Sequence, residues 1–127
     1  MAVVLLVGGL RAGTLNAQDQ PITRTELLRG DLSGVEDREV VTYIADLAPG
    51  AVGGKHTHAG DEFVYIIDGV LIVEAEGKEP VTLTSGEAAH LAQGVVHAAR
   101  NGSEFDPAKV LVFIVLEKGK PLADPVN

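Results

Sequence analysis

The sequence predicts an all-β fold, a barrel or a sandwich, and three observations carry that expectation. Residues 40–47, 63–67, 70–75, 81–84 and 110–116 are short runs rich in Val, Ile and Leu, bounded by clusters of Gly, Pro, Asp and Asn. Turn chemistry sits between them. Asp68-Gly69 separates two runs and predicts a hairpin, because Gly tolerates the positive φ of a tight turn. Glu76-Gly77-Lys78 is a second turn. Beyond the N-terminal apolar run no segment shows a helical period; residues 23–28 form at most a turn or two of helix. Frequent turns between short strands argue for a sandwich or barrel over a layered α/β fold.

The remaining segments follow in order. A length of 127 residues suits one domain with one core. Residues 1–20 read as either a signal peptide or an N-terminal arm, and residues 21–127 as a single barrel domain. The stretch AVVLLVGGL at 2–10 is too short to span a bilayer but has the length of a signal-peptide core, and Leu15-Asn16-Ala17 can precede a cleavage point. Two details oppose export: no Lys or Arg precedes the run, and Leu15 stands where a small residue is usual. The alternative is a strand at 3–7 docked on the barrel or on a partner subunit. A cleaved signal implies a periplasmic or secreted protein; without it the chain is cytoplasmic. Residues 49–60 are rich in glycine and read as a loop, and 117–127, with two prolines, as a tail lying on the surface or on a neighbour.

Composition excludes several function classes. The chain has no cysteine, which rules out disulfides, iron–sulfur clusters and thiolate zinc sites. Its formal charge is −8, from 18 acidic and 10 basic residues. That charge repels phosphate backbones and anionic membrane surfaces, so neither nucleic-acid binding nor membrane insertion is expected.

The four histidines are not scattered. His56 and His58 are two apart, so on a strand both imidazoles face one side. Glu62 follows a turn of small residues, Ala59-Gly60-Asp61, and can open the next strand with its carboxylate aimed at the same point. His97, from a distant segment, can close the site. Three neutral imidazoles and one carboxylate suit one divalent transition metal: Fe, Mn, Co, Ni, Cu or Zn. The competing readings are two surface histidines, a strand-end glutamate and a buried structural histidine.

The glycines around these residues make the pattern specific. Gly50-x5-His56-x-His58-x3-Glu62-x6-Gly69 resembles the first motif of the cupin family at every fixed position. Gly86-x5-Ala92-x-Gly94-x2-His97-x3-Asn101 resembles the second, with Ala92 where the family usually has proline. That proline stiffens a turn and ligates nothing, so the departure spares the metal site. The resemblance covers about residues 38–116. It implies a double-stranded β-helix, a relative of the jelly roll, and His56, His58, Glu62 and His97 as metal ligands. Residues 21–24 and 117–122 resemble small exported bacterial cupins more weakly.

Further expectations concern the surroundings of the site. If Glu62 faces in, Val64 and Ile66 follow it, while Phe63, Tyr65 and Ile67 face out and suggest a homodimer. Asn101, before a glycine, reads as structural. The cavity wall is expected to be aliphatic, from Val64, Ile66, Ile72 and Ile114, with no Lys or Arg beside the ligands and Arg100 pointing away. A carboxylate substrate would then meet little but the metal. His90 faces either solvent or the cavity, and in the second case could shuttle protons, alone or with Glu62. The function expected is an enzyme of dioxygenase, lyase or isomerase type acting on a small chelating dicarbonyl or phenol. The alternatives are a binding module and a barrel with a structural metal.

Overall fold

The computed structural model describes residues 22–127. The N-terminal segment read as signal peptide or arm lies outside the described residues. The described chain is all β: β1 Ile22–Leu32, β2 Val35–Leu47, β3 His56–Thr57, β4 Gly60–Asp68, β5 Val70–Ala75, β6 Val81–Thr84, β7 Ala88–Leu91, β8 His97–Asn101, β9 Ala108–Glu117 and β10 Asp124–Pro125. Two five-stranded sheets form, in the orders β1-β2-β9-β4-β7 and β10-β3-β8-β5-β6. The pairings are antiparallel, as a double-stranded β-helix requires.

Alternation builds the core. Along β9, Ala108, Val110, Val112, Ile114 and Leu116 are buried while Lys109 and Phe113 are exposed. On β4, Val64 and Ile66 point in, and Phe63, Tyr65 and Ile67 remain about 40% exposed or more, as expected. Ile66, Ile114, Leu116, Val41 and Val110 are the largest fully buried side chains. Each stabilises the fold by roughly 1.5–3 kcal/mol relative to exposure.

Two local expectations are corrected. Residues 23–28 are not helical; they belong to β1, which pairs along its length with β2. Thr23 and Thr25 favour extended backbone, and the register shift between Glu26 and Leu28 breaks the alternation that would have revealed a strand. Asp68-Gly69 is not a hairpin. The strands on either side lie in different sheets, so the turn is the corner between them. Gly69 has φ +85°, and a Cβ there would come within 2.6 Å of the Pro107 carbonyl oxygen. The Gly77 turn does close a hairpin, joining the paired β5 and β6.

The tail is structured as well. β10 adds to the edge of the second sheet, pairing Pro125 with His56 and Asp124 with Thr57.

Candidate metal centre

The corner between the sheets brings the motif residues together. His56 on β3 is the cross-strand partner of His97 on β8, so both rings rise from one sheet. His58 lies just beyond β3. Glu62 comes from the opposite sheet, where β4 starts at Gly60. Gly60 permits that start: a Cβ there would fall 1.9 Å from the Val115 carbonyl oxygen of β9. Imidazole centroids lie 4.4 Å apart for His56–His97, 4.8 Å for His56–His58 and 5.1 Å for His58–His97. One ligand atom from each of His56, His58, Glu62 and His97 falls within 4.8 Å of all the others. That span is slightly wider than the roughly 4.0–4.4 Å that donors at about 2.0–2.2 Å can reach across one ion, so small side-chain shifts bring all four onto it.

Hydrogen bonds fix which nitrogen each ring offers. Nδ1 of His56 donates to the Gly54 carbonyl at 2.8 Å, that of His58 to Leu122 at 2.6 Å and that of His97 to Val95 at 2.9 Å. A nitrogen facing a carbonyl carries the hydrogen, so each neutral ring keeps its Nε2 lone pair free. Nε2 of His58 touches Glu62 Oε2, and Nε2 of His97 stands 3.3 Å from it. None of these three atoms has a hydrogen-bond partner among the described residues, although all are buried. Nitrogen lone pairs and a carboxylate oxygen therefore converge with no donor between them. Unpaired buried acceptors cost several kcal/mol, and a cation at their focus removes that cost. The donor set thus fits a divalent transition metal.

Where no cation stands between them, the imidazoles and the carboxylate act on one another instead. Burial pushes the Glu62 carboxyl up, but contacts with His58 and His97 outweigh it and hold Glu62 at about 2. For His97 burial favours the neutral ring, yet Glu62 and the Val95 carbonyl win and raise it. Burial lowers His56.

The loops around the ligands are tied to one another. Gly94 N–H donates to the His58 carbonyl at 3.1 Å, and Gln93 N–H to Asp61 Oδ1 at 2.7 Å. Ala92, in the proline position, still closes its turn through a bond from Val95 N–H at 3.2 Å. Asn101 is structural, as expected: its amide donates to the carbonyls of Ala48 and Asp106 at 3.1 and 2.8 Å.

A cavity of about 80 Å³ opens beside His56, Glu62 and His97. Val64 lines it as expected, whereas Ile66, Ile72 and Ile114 do not; Ile66 and Ile114 face in but are fully buried in the core. After the Gly69 corner the inward positions of β5 are Leu71 and Val73. Arg100 points away and meets Glu74 at 3.3 Å. The expectation of a wall without cations is corrected: Arg24 of β1 and Tyr43 of β2 both line the cavity. Tyr43 is 4% exposed, and burial, together with the Glu62 charge, pushes its phenol up to about 12. The sequence held a signal for Tyr43, since Val41, Tyr43, Ala45 and Leu47 alternate inward on β2. Arg24 was hidden by the helical reading of 23–28.

His90 is not brought to the site. It pairs with Phe63 across β7 and β4 and stacks on that ring at 4.5 Å, outside the barrel, with Asp61 at 3.6 Å. A proton shuttle into the cavity has no path from this position, because the next residue, Leu91, is the one that faces in.

Comparison with known proteins agrees with the motif reading. The family model described as the cupin domain matches residues 43–114. The chain is 35% identical over 85 residues to the beta-alanine degradation protein BauB of Pseudomonas aeruginosa, covering 65% of this chain and 85% of that protein. Among solved structures, KdgF from Halomonas sp. superposes with a TM-score of 0.59 at 25% identity, covering 77% of this chain and 82% of its own. A cupin superfamily protein of Desulfitobacterium hafniense DCB-2 superposes with a TM-score of 0.63 at 16% identity, covering 81% of this chain and 84% of its own, a likeness of fold alone.

Proposed function

The chain belongs to the cupin family, and from that premise we propose that it is a metal-dependent enzyme acting on a small, metal-chelating substrate. The observation that carries the reading is the convergence of buried, unpartnered acceptor atoms of His58, Glu62 and His97, with His56 beside them. His56, His58, Glu62 and His97 hold one divalent transition metal. When bound, such an ion polarises a coordinated oxygen and lowers its pKa. Four protein ligands leave room for substrate oxygens on a five- or six-coordinate ion.

The residues of the chain do the rest. Val64, Leu71, Val73 and Leu91 form an apolar wall that excludes water and limits substrate size. The cavity, about 80 Å³, suits a small substrate. The reaction is of lyase, isomerase or dioxygenase type at a carbon next to the coordinated oxygen. The proton-handling role considered for His90 is assigned instead to water in the cavity or to Glu62. The test is elemental analysis of the purified chain followed by turnover assays on small dicarbonyls, with oxygen uptake recorded. Metal-dependent turnover supports the reading; a loaded protein that binds without turnover is a binding module. We also propose that the outward row of Phe63, Tyr65 and Phe113 on adjacent strands pairs with a second copy, which light scattering tests.

A further inference from the structure

The cavity carries a polar pair that the metal ligands do not use. Arg24 on β1 is the cross-strand partner of Ala45, and Ala45 faces the cavity, so the Arg24 side chain projects to that same side. Tyr43, two residues before Ala45, points inward, close enough to Arg24 and Glu62 to feel both charges. The neighbouring carboxylate on β1 is otherwise engaged: Glu26 pairs with Arg29 at 3.0 Å. Among the described residues no carboxylate lies within ion-pair distance of Arg24. In a chain of net charge −8, a guanidinium at the rim of an apolar cavity is a specific placement.

We propose that the cavity binds a small monocarboxylate, its carboxylate held by Arg24 and the Tyr43 hydroxyl and its far end turned toward His56, Glu62 and His97. The far end of this arrangement, and only that end, rests on the metal reading above. Arg presents a planar fork of N–H donors that matches a carboxylate, and the phenol adds one more donor. The cavity sets the length. At about 80 Å³ it is small, so the ligand is short. A second oxygen at the far end, carbonyl or hydroxyl, is what the metal ligands would meet. The ligand is thus a short oxo- or hydroxy-acid, whereas the sequence suggested a wall with nothing but metal to receive a carboxylate.

The test is calorimetric titration of the full, metal-loaded chain with propanoate, pyruvate, 3-hydroxypropanoate and methyl 3-hydroxypropanoate. At least one acid should bind at millimolar concentration or below, and the ester should bind about tenfold or more weakly than its acid. Arg24→Gln should weaken that acid by about ten- to a hundredfold and abolish the preference over the ester, while metal content stays unchanged. Arg24→Lys should recover part of the loss, since it restores charge but not the fork. Tyr43→Phe should weaken the acid less than Arg24→Gln does. The proposal is overturned if no acid binds, if acid and ester bind alike, or if Arg24→Gln binds the acid as well as the unaltered chain. Failure of the metal reading looks different: no metal is found, yet the preference for acid over ester persists and still depends on Arg24.

Discussion

Removal of residues 121–127 should weaken metal binding even though the deleted segment contains no candidate ligand. The Leu122 carbonyl accepts the His58 Nδ1 hydrogen at 2.6 Å, and β10 pairs with the strand that carries His56. Without the tail, His58 has a buried N–H with no acceptor, and its ring is free to rotate. Losing the partner of a ligating imidazole typically costs about 10–100-fold in metal affinity. That corresponds to about 1.4–2.8 kcal/mol. The cost of leaving a buried donor unsatisfied, about 1–3 kcal/mol, falls in the same range. The assay is competition against a chromophoric chelator, with melting temperatures measured with and without metal. The truncated chain should show a smaller metal-induced rise, by several degrees. Leu122→Ala keeps the carbonyl and serves as the control: it loses packing alone and should hold metal nearly as well as the full chain. Full-strength metal binding by a folded, truncated chain would refute the reasoning.

Three other outcomes follow from the same geometry. Gly60→Ala should destabilise the fold by about 1–3 kcal/mol or more and lower metal affinity, because its Cβ would meet backbone of β9 that cannot yield; thermal melts and metal titration check this. The pH dependence of the metal-free chain should show Glu62: its folded value of about 2 lies below the ordinary 4.5, so its stabilisation is present above about 4.5 and is lost as pH falls toward 2. Glu62→Gln should remove that limb from the plot of melting temperature against pH. His90→Gln should leave metal content and turnover within twofold or so of the unaltered chain, since its ring is stacked outside the barrel on Phe63; a large loss of turnover would return His90 to the mechanism.

Which features were legible in the sequence depended on how local their physics is. The ligand set was legible because His56, His58, Glu62 and His97 stand in a glycine frame, and all four motif glycines, Gly50, Gly69, Gly86 and Gly94, adopt positive φ. Those turns are set by the residues themselves. The inward face of β4 was equally legible, since Val64 and Ile66 alternate with exposed Phe63 and Tyr65. Contacts between distant segments were not. Arg24 reaches the cavity only because β1 pairs with β2, and the register shift at Leu27 disguises that strand. The side of β5 that faces inward depends on the Gly69 corner, so Leu71 and Val73 line the wall where Ile72 was expected. The Leu122 carbonyl behind His58 is backbone on a tail 64 residues away, and no side-chain pattern announces it.

The central claim, that the convergent acceptors exist to hold a cation, is tested most directly by the metal content of purified protein. Elemental analysis after extensive dialysis should give one divalent transition metal per chain. The same measurement on folded His58→Ala and His97→Ala variants should give far less, because each substitution removes a nitrogen from a set whose other members remain paired through Nδ1. A dialysed chain without metal that also fails to take up Fe, Mn, Co, Ni, Cu or Zn, or variants that keep full stoichiometry, would contradict the account.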